Sequence, residues 1–444
     1  MEKTTLNSNL NVDALKVLWW SNGFHTPTGY GVQSNNIVFR LKKQGVNIRC
    51  AANFGLQGCA LDFNGVKQYP VTGITQYGED SLKIVCDGWK PHVLITLFDV
   101  WLGHFSSYFG EKDWLSKLHN RWVAWLPVDS DPVAEAVADQ AGKAYRAVAM
   151  SRFGQQQLKN AGVAAEYIPH GVETGVYRPA EDKAPCKTWL DRHSVPVNPK
   201  TKVSINPQDF VVGVNKANKD RERADYDRIL LSFKLFLELC PEARADAKLY
   251  LHTWPRFPAA TDIPALTRMY GLESYVKVTR DYYMLCGYTS VDMAILYNGF
   301  DVLLNLVRGE GFGVPILEAA ACEVPSVATD YTAMTELVSG HGWLIKPVCT
   351  VRNGLNGSWA IPDEQLAAEA LKDAYLHSKK RRRYAAESRK FSLNYDFDVK
   401  VAPLWHELLS EVSSELGMYG AVKTKDDAYE QLFKQALTTQ EKQQ

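Results

Sequence analysis

Apolar positions in this chain come in short unbroken runs, separated by stretches whose apolar residues recur at helical spacing. LKVLWW (15–20) is compact and apolar and ends in a Gly-containing loop, as a buried strand does. VQSNNIVFRLKKQG (32–45) then has helical periodicity with a stop at Gly45, and VNIRCAAN (46–53) reads as a second strand. HVLITLF (92–98), RWVAWLPV (121–128) and AYRAVAMS (144–151) continue the series. Strands that alternate with helices imply a parallel sheet covered on both faces. From residue 180 to 209 the sequence turns polar and Pro-containing, as a linker or interdomain insertion does. A second series follows: FVVGVN (210–215), the amphipathic DRILLSFKLFLELCP (227–241), KLYLHTW (248–254), YVKVTRDY (275–282), FDVLLNLV (300–307) and SVATD (326–330).

The pattern therefore predicts an α/β protein with two doubly wound, Rossmann-like domains. The first spans residues 1–180 and the second 210–394, joined by a linker or insertion at 181–209. A terminal helix follows at 395–416 and a polar tail at 417–444. In such sheets ligands bind beyond the carboxyl ends of the strands, and two facing sheets create a cleft between them.

Composition narrows the function. The 444 residues are 46% hydrophobic and 23% charged, ordinary globular values. Formal net charge is zero, which speaks against a dedicated nucleic-acid binder and gives no support to DNA as a partner. None of the eight cysteines forms a Cys-x-x-Cys pair or joins His at zinc-site spacing, so free thiols in a reducing cytoplasm are expected, with no metal. No run approaches the ~20 apolar residues of a membrane span, and the first residues lack a signal-peptide core.

The densest chemical signal is RGEGFGVPILE (308–318), in which seven residues separate Glu310 from Glu318. A Gly-rich turn feeding a helix offers backbone N–H groups and a positive dipole end to a polar or anionic ligand. Glu310 would stand at the turn and Glu318 about two turns into the helix, placed to hold two parts of one elongated ligand.

This stretch resembles the Glu-x7-Glu signature of retaining glycosyltransferases of family 4, the group 1 glycosyl transferases. The resemblance extends to VPSVATDYTAMTELV (324–338), YRAVAMSRFGQQQLKNAGV (145–163), YIPHGVETGVYRP (167–179) and YDFDVKVAPLWHELL (395–409), and covers most of residues 15–415. One departure is Glu323, where the family usually has Gly.

The resemblance implies the GT-B fold. A nucleoside-diphosphate sugar, UDP- or GDP-linked, would be the donor, and no cofactor would be permanently bound. It also implies a donor site in the second domain, an acceptor site in the first, and a terminal helix crossing back. Glu310 would touch the donor sugar, the amides of Gly311, Phe312 and Gly313 its hydroxyls, and Glu318 the ribose diol. Lys216, Arg221 and Arg223, in the basic segment after FVVGVN, would face the diphosphate, with Lys219 in the same run. Thr332 would reach phosphate or ribose, and Gly29 and Gly31 would turn amides toward a phosphate across the cleft. Where the family often has a His near the transferred sugar, this chain has Asp129 and Asp131, and Asp129 is the expected catalytic partner. His25, Asp99 and Trp101 are candidates for the acceptor side. His170 is expected to be structural near the hinge, and the basic run KKRRRY (379–384) a solvated helix face.

The acceptor is not written in the sequence: a glycan, lipid, protein or modified DNA base all fit a hydroxyl acceptor. A GT-B sugar phosphorylase or synthase, and a non-catalytic nucleotide-sugar-binding protein, are the competing readings.

Overall fold

The computed structural model describes residues 15–102, 115, 120–258 and 260–417. The expected tail at 417–444 lies outside these residues except for Gly417. The strands of the first sheet are β1 (Lys16–Asn22), β2 (Asn47–Phe54), β3 (Leu61–Phe63), β4 (Val66–Tyr69), β5 (Val93–Leu97), β6 (Arg121–Leu126), β7 (Arg146–Ala149) and β8 (Ala165–Tyr167). Their order is β3-β4-β2-β1-β5-β6-β7-β8, and every pair is parallel except the β3–β4 hairpin.

The second sheet holds β9 (Ser194–Pro196), β10 (Phe210–Asn215), β11 (Ala247–His252), β12 (Val276–Thr279), β13 (Val302–Asn305), β14 (Ser326–Thr329) and β15 (Trp343–Ile345). Their order is β15-β14-β13-β10-β11-β12-β9, all parallel except β9. A separate hairpin joins β16 (Pro347–Arg352) to β17 (Ser358–Pro362).

Both sheets reverse their winding at one strand. β1 has β2 on one side and β5 on the other, and β10 has β11 and β13. A crevice opens at the carboxyl end of such a strand because the flanking connections leave in opposite directions. The loops after β1, β5 and β6 face those after β10, β13 and β14.

The polar segment 181–209 is not bare linker. It contains a helix, Ala184–His193, and β9, which pairs with the edge of the second sheet. Polarity hid both, because an edge strand and a half-exposed helix need few apolar residues.

The chain passes between the sheets twice, and the two crossings lie side by side. Val172 and Asp396 form an isolated bridge, with Val172 N donating to Tyr395 O at 3.0 Å. Beyond the second crossing, the helix Ala402–Glu415 lies on the helix Gly29–Lys43. Its Trp405 packs edge-on against Trp19 and Trp125, with ring centroids 5.4 and 5.1 Å away. One continuous buried cluster runs from Val17 and Trp19 of the first sheet through Tyr177 and Phe312 to Ile316 and Leu317. A second cross-connection is a borrowed cap. Glu336 accepts from the amides of Arg152 (3.2 Å) and Phe153 (3.0 Å), the first residues of the helix Arg152–Asn160.

Candidate active site

The loop after β13 carries Arg308 to Gly313. Its entry is fixed by Arg308, whose Nε donates to Asp225 Oδ2 at 2.8 Å. Asp225 joins two helices of the second domain, so this ion pair ties the acidic loop to the basic one. Glu310 is held through its backbone: its amide donates to Thr332 Oγ1 at 3.0 Å, and its half-buried carboxylate projects into the cleft. Thr332 has φ 52°, a conformation β-branched residues rarely adopt, so the surrounding structure pays in strain to set this hydroxyl under Glu310.

Two glycines of the loop also serve close packing. A Cβ on Gly309 would lie 2.1 Å from Asp129 O, and one on Gly311 2.3 Å from Pro127 Cβ. Their missing side chains let the loop meet the loop after β6 across the cleft. Phe312 has a structural part as well. Its ring is buried edge-on against His170 (5.3 Å) and Tyr395 (5.9 Å), so only its backbone can meet a ligand. The amides of Gly311, Phe312 and Gly313 have no acceptor among the described residues and open onto the helix Val314–Ala321.

Glu318 lies within that helix and is 8% exposed. Tyr297 OH donates to its Oε2 at 2.7 Å and receives Asn215 Nδ2 at 2.7 Å. Burial pushes the Glu318 carboxyl up to about 7, against the hydrogen bonds of Tyr297 and Tyr177.

The basic residues after β10 divide. Lys216 Nζ is buried and has no hydrogen-bond partner among the described residues. Burial lowers its pKa to about 7, opposed by the Glu310 carboxylate and reinforced by Arg223. Arg223 reaches furthest across, with Nη1 3.7 Å from Asp129 Oδ2. Burial works against its charge, but Glu310, Asp129 and Asp99 outweigh burial and raise its pKa. Arg221 is exposed and does not join this group, and exposed Lys219 lies over the Phe54 ring at 5.9 Å.

On the first-sheet side, Asp99 and Asp129 stand beyond neighbouring strands β5 and β6. Burial raises both carboxyls, Asp99 to about 6, with Arg223 opposing and the other acids adding. Asp131 is exposed, and its amide donates to Tyr331 OH at 3.1 Å. Trp101 is half-buried against the first-sheet core. Gly29 opens the helix Gly29–Lys43 at the surface, and its amide and that of Tyr30 have no intrahelical acceptor. The Gly31 amide is already used, donating to the cap hydroxyl of Thr28 at 3.1 Å, and a Cβ there would strike Thr26 Oγ1 at 2.3 Å. His25 is pinned: its ring nitrogens meet Gly55 O (2.9 Å) and Gln68 Nε2 (3.1 Å), which makes it a brace of the loop. His170 is buried against Trp125 at 4.5 Å and held neutral, its pKa pushed down to about 3 by burial. In the basic run, Lys380 and Arg381 bind Asp373 and Asp301, whereas Lys379, Arg382 and Arg383 are exposed.

Sequence reasoning missed Tyr30, Tyr177, Tyr297 and the Arg308–Asp225 pair. Tyr30 hydrogen-bonds Asp99, and its place between Gly29 and Gly31 was the available signal. No local pattern marks Tyr177 or Tyr297, which reach Glu318 only through the fold. Among the described residues, no group of three or more His, Cys, Asp or Glu is arranged to hold a metal ion. No helix among them is long and apolar enough to cross a membrane.

Comparison with known proteins places this geometry. Residues 232–374, across the second sheet, match the family described as glycosyl transferases group 1. No curated protein matches the chain. A sucrose-phosphate synthase from Thermosynechococcus elongatus superposes with a TM-score of 0.67 at 13% identity, over 90% of this chain and 100% of that one. HepE of Anabaena, solved with UDP and glucose, superposes with a TM-score of 0.60 at 16% identity, over 89% of this chain and all of that one. A trehalose 6-phosphate synthase from Burkholderia multivorans gives 0.62 at 12% identity, over 90% of this chain and 100% of that one. At such identities the likeness establishes the fold, which is GT-B. The segment 232–374 carries the similarity to the group 1 glycosyl transferases, and with it the reading of the chain as a glycosyltransferase.

Proposed function

We propose that the protein is a retaining glycosyltransferase that moves a sugar from a nucleoside-diphosphate sugar to an acceptor hydroxyl. The observation that carries this reading is Lys216, a buried ammonium with no hydrogen-bond partner among the described residues, beside Arg223 and Glu310 at the carboxyl ends of β10 and β13. A buried cation without a partner is costly, and a diphosphate would satisfy it. Arg223 supplies a second, bidentate cation. Glu318 then takes the ribose diol, and Glu310 with the 311–313 amides takes the sugar. HepE, solved with UDP-glucose, shares the fold and supports a UDP-linked donor over a GDP-linked one.

In the transfer, the bond from the anomeric carbon to the diphosphate breaks and the acceptor oxygen bonds that carbon on the same face. The acceptor proton passes to the departing phosphate. Lys216 and Arg223 stabilise the leaving charge, and Glu310 stabilises the positive charge developing on the sugar. Asp129 accepts a hydrogen bond from the acceptor hydroxyl, with Asp99 and Trp101 beside it. The first domain, to about residue 180, would hold the acceptor, and residues 210–394 the donor. The eight free cysteines fit a cytoplasmic enzyme.

Calorimetric titration with UDP, GDP and their sugars tests the donor site. The expected result is binding of one nucleotide class, lost in Lys216→Ala and Arg223→Ala. Binding that survives both substitutions would remove the diphosphate from this place.

A further inference from the structure

Arg223 has two claimants. Its guanidinium faces Asp129 across the cleft at 3.7 Å, and it is also the cation assigned above to the donor diphosphate. Its backbone has little freedom. Asp220 caps the short helix Arg221–Ala224 by accepting from the Glu222 and Arg223 amides at 2.9 and 3.1 Å. On the other side, Arg223 O receives the Arg308 amide at 3.4 Å. Any change of partner is therefore a side-chain swing.

The pair is half-buried and its contact is long, with Arg223 39% and Asp129 32% exposed at the side chain. A long ion pair that solvent still reaches is weak. A diphosphate offers more charge and accepts the planar fork through two oxygens. The groups around the guanidinium come from four other elements: Glu310 after β13, Asp99 after β5, Tyr30 at the start of its helix, and Lys216 after β10. Once Arg223 turns to phosphate, Asp129 loses its cationic partner and keeps the Trp359 indole and its acidic neighbours, which leaves room for a further hydrogen-bond donor. An acceptor hydroxyl is such a donor.

We propose that Asp129 and the donor diphosphate compete for Arg223, so that donor binding frees Asp129 and completes the acceptor site. Asp129 is then a positioning residue that makes the enzyme bind donor before acceptor. Linkage requires the converse as well: acceptor on Asp129 tightens the donor. The inference rests on the donor site proposed above.

The test is titration of UDP, or of whichever nucleoside diphosphate the wild type binds, into wild type and Asp129→Asn. Donor turnover is measured on the same samples. Removing the competitor should tighten nucleotide binding by about fivefold, the size of one such ion pair, while turnover falls at least about tenfold. The opposite signs matter, because a residue that merely supports the fold would lose both together. Asp129→Ser carries the same expectation should the Asn variant fail to fold, and Asp129→Glu should restore wild-type affinity. Unchanged or weaker nucleotide binding in folded Asp129→Asn, with a wild type that binds, overturns this inference alone. No nucleoside-diphosphate binding by either protein overturns the donor site and this inference with it.

Discussion

The two sides of the cleft are built on different plans. On the second-sheet side, Glu310, Glu318 and Thr332 fall within one short stretch of chain, and the Thr332 hydroxyl holds the Glu310 amide directly. On the first-sheet side, Tyr30, Asp99 and Asp129 come from three separate connections and meet only because β1, β5 and β6 are neighbours. The second-sheet side, proposed for the donor, is a local motif with tertiary support. The first-sheet side, proposed for the acceptor, is a product of strand order. A motif constrains chemistry wherever it occurs, whereas strand-end loops vary freely on a constant sheet, so on this proposal acceptor choice sits on the side that local sequence describes least.

Breaking the donor side at its centre should give the largest effect. Glu310→Gln is expected to cut turnover by about 10²–10³, the usual scale for a group that stabilises charge only in the transition state. Nucleotide affinity should stay within a few-fold, because loss confined to the rate marks a transition-state interaction. Equal loss in both, by steady-state kinetics and calorimetry, would make Glu310 a binding residue.

The support beneath the motif comes next. Asp225→Asn removes the partner of Arg308, in a pair whose side chains are only 4% and 20% exposed. Asn tolerates the left-handed backbone at this position, φ 47°, so a loss can be assigned to the charge. Urea denaturation should show about 3 kcal/mol of destabilisation. A change below about 1 kcal/mol would mean that the loop is held elsewhere.

Glu318 sharpens the comparison through pH. Its folded pKa of about 7 lies above the carboxylate's ordinary 4.5. Between those values the folded state binds more protons than the unfolded one, so this group's contribution to stability is full below about 4.5 and is lost as pH rises through 7. Glu318→Gln should flatten that part of the stability profile and gain about 1–2 kcal/mol at pH 8, where wild type must bury the charge. Lys216 titrates in the same range with the opposite effect on a diphosphate, so the readout is the ratio of wild-type to Glu318→Gln nucleotide affinity, which should fall as pH drops below 7 and the Glu318 carboxylate protonates. A pH-independent ratio would contradict the proposed ribose role.

The smallest effect tests a departure visible in the sequence. Glu323 stands where Gly is usual, and it adopts φ 54°. It occupies the left-handed position of a Schellman cap, in which Val324 N donates to Ala319 O (2.9 Å) and Glu323 N to Ala320 O (3.1 Å). Glu323→Gly should stabilise the protein by about 1 kcal/mol in thermal or urea denaturation. No gain would mean that the Glu side chain offsets its own strain.

Much of the fold was legible because buried parallel strands are unbroken apolar runs, as in Val93–Leu97 and Val302–Asn305. β9 and the β3–β4 hairpin were not, since edge strands such as Leu61–Phe63 are exposed and only three residues long, too short for a pattern to register. Within the site, the positions of Glu310, Glu318 and Thr332 follow from strand–loop–helix order. The burial of the Phe312 ring was not legible, because a residue between two glycines gives no sign that its ring completes the core between the domains. Tyr177 and Tyr297 illustrate the reverse problem. Tyr297 belongs to an ordinary helix, Ser290–Asn298, and Tyr177 to the turn after the first crossing, and only tertiary packing brings their hydroxyls to Glu318.

The most direct test of the central claim is proton NMR of the purified protein with UDP-glucose and related nucleotide sugars, following release of nucleoside diphosphate and the anomer of the freed sugar. The account predicts slow release with the donor's anomeric configuration kept in the first product, and none from Glu310→Gln. Release with inverted configuration, or equal release from the variant, would contradict it.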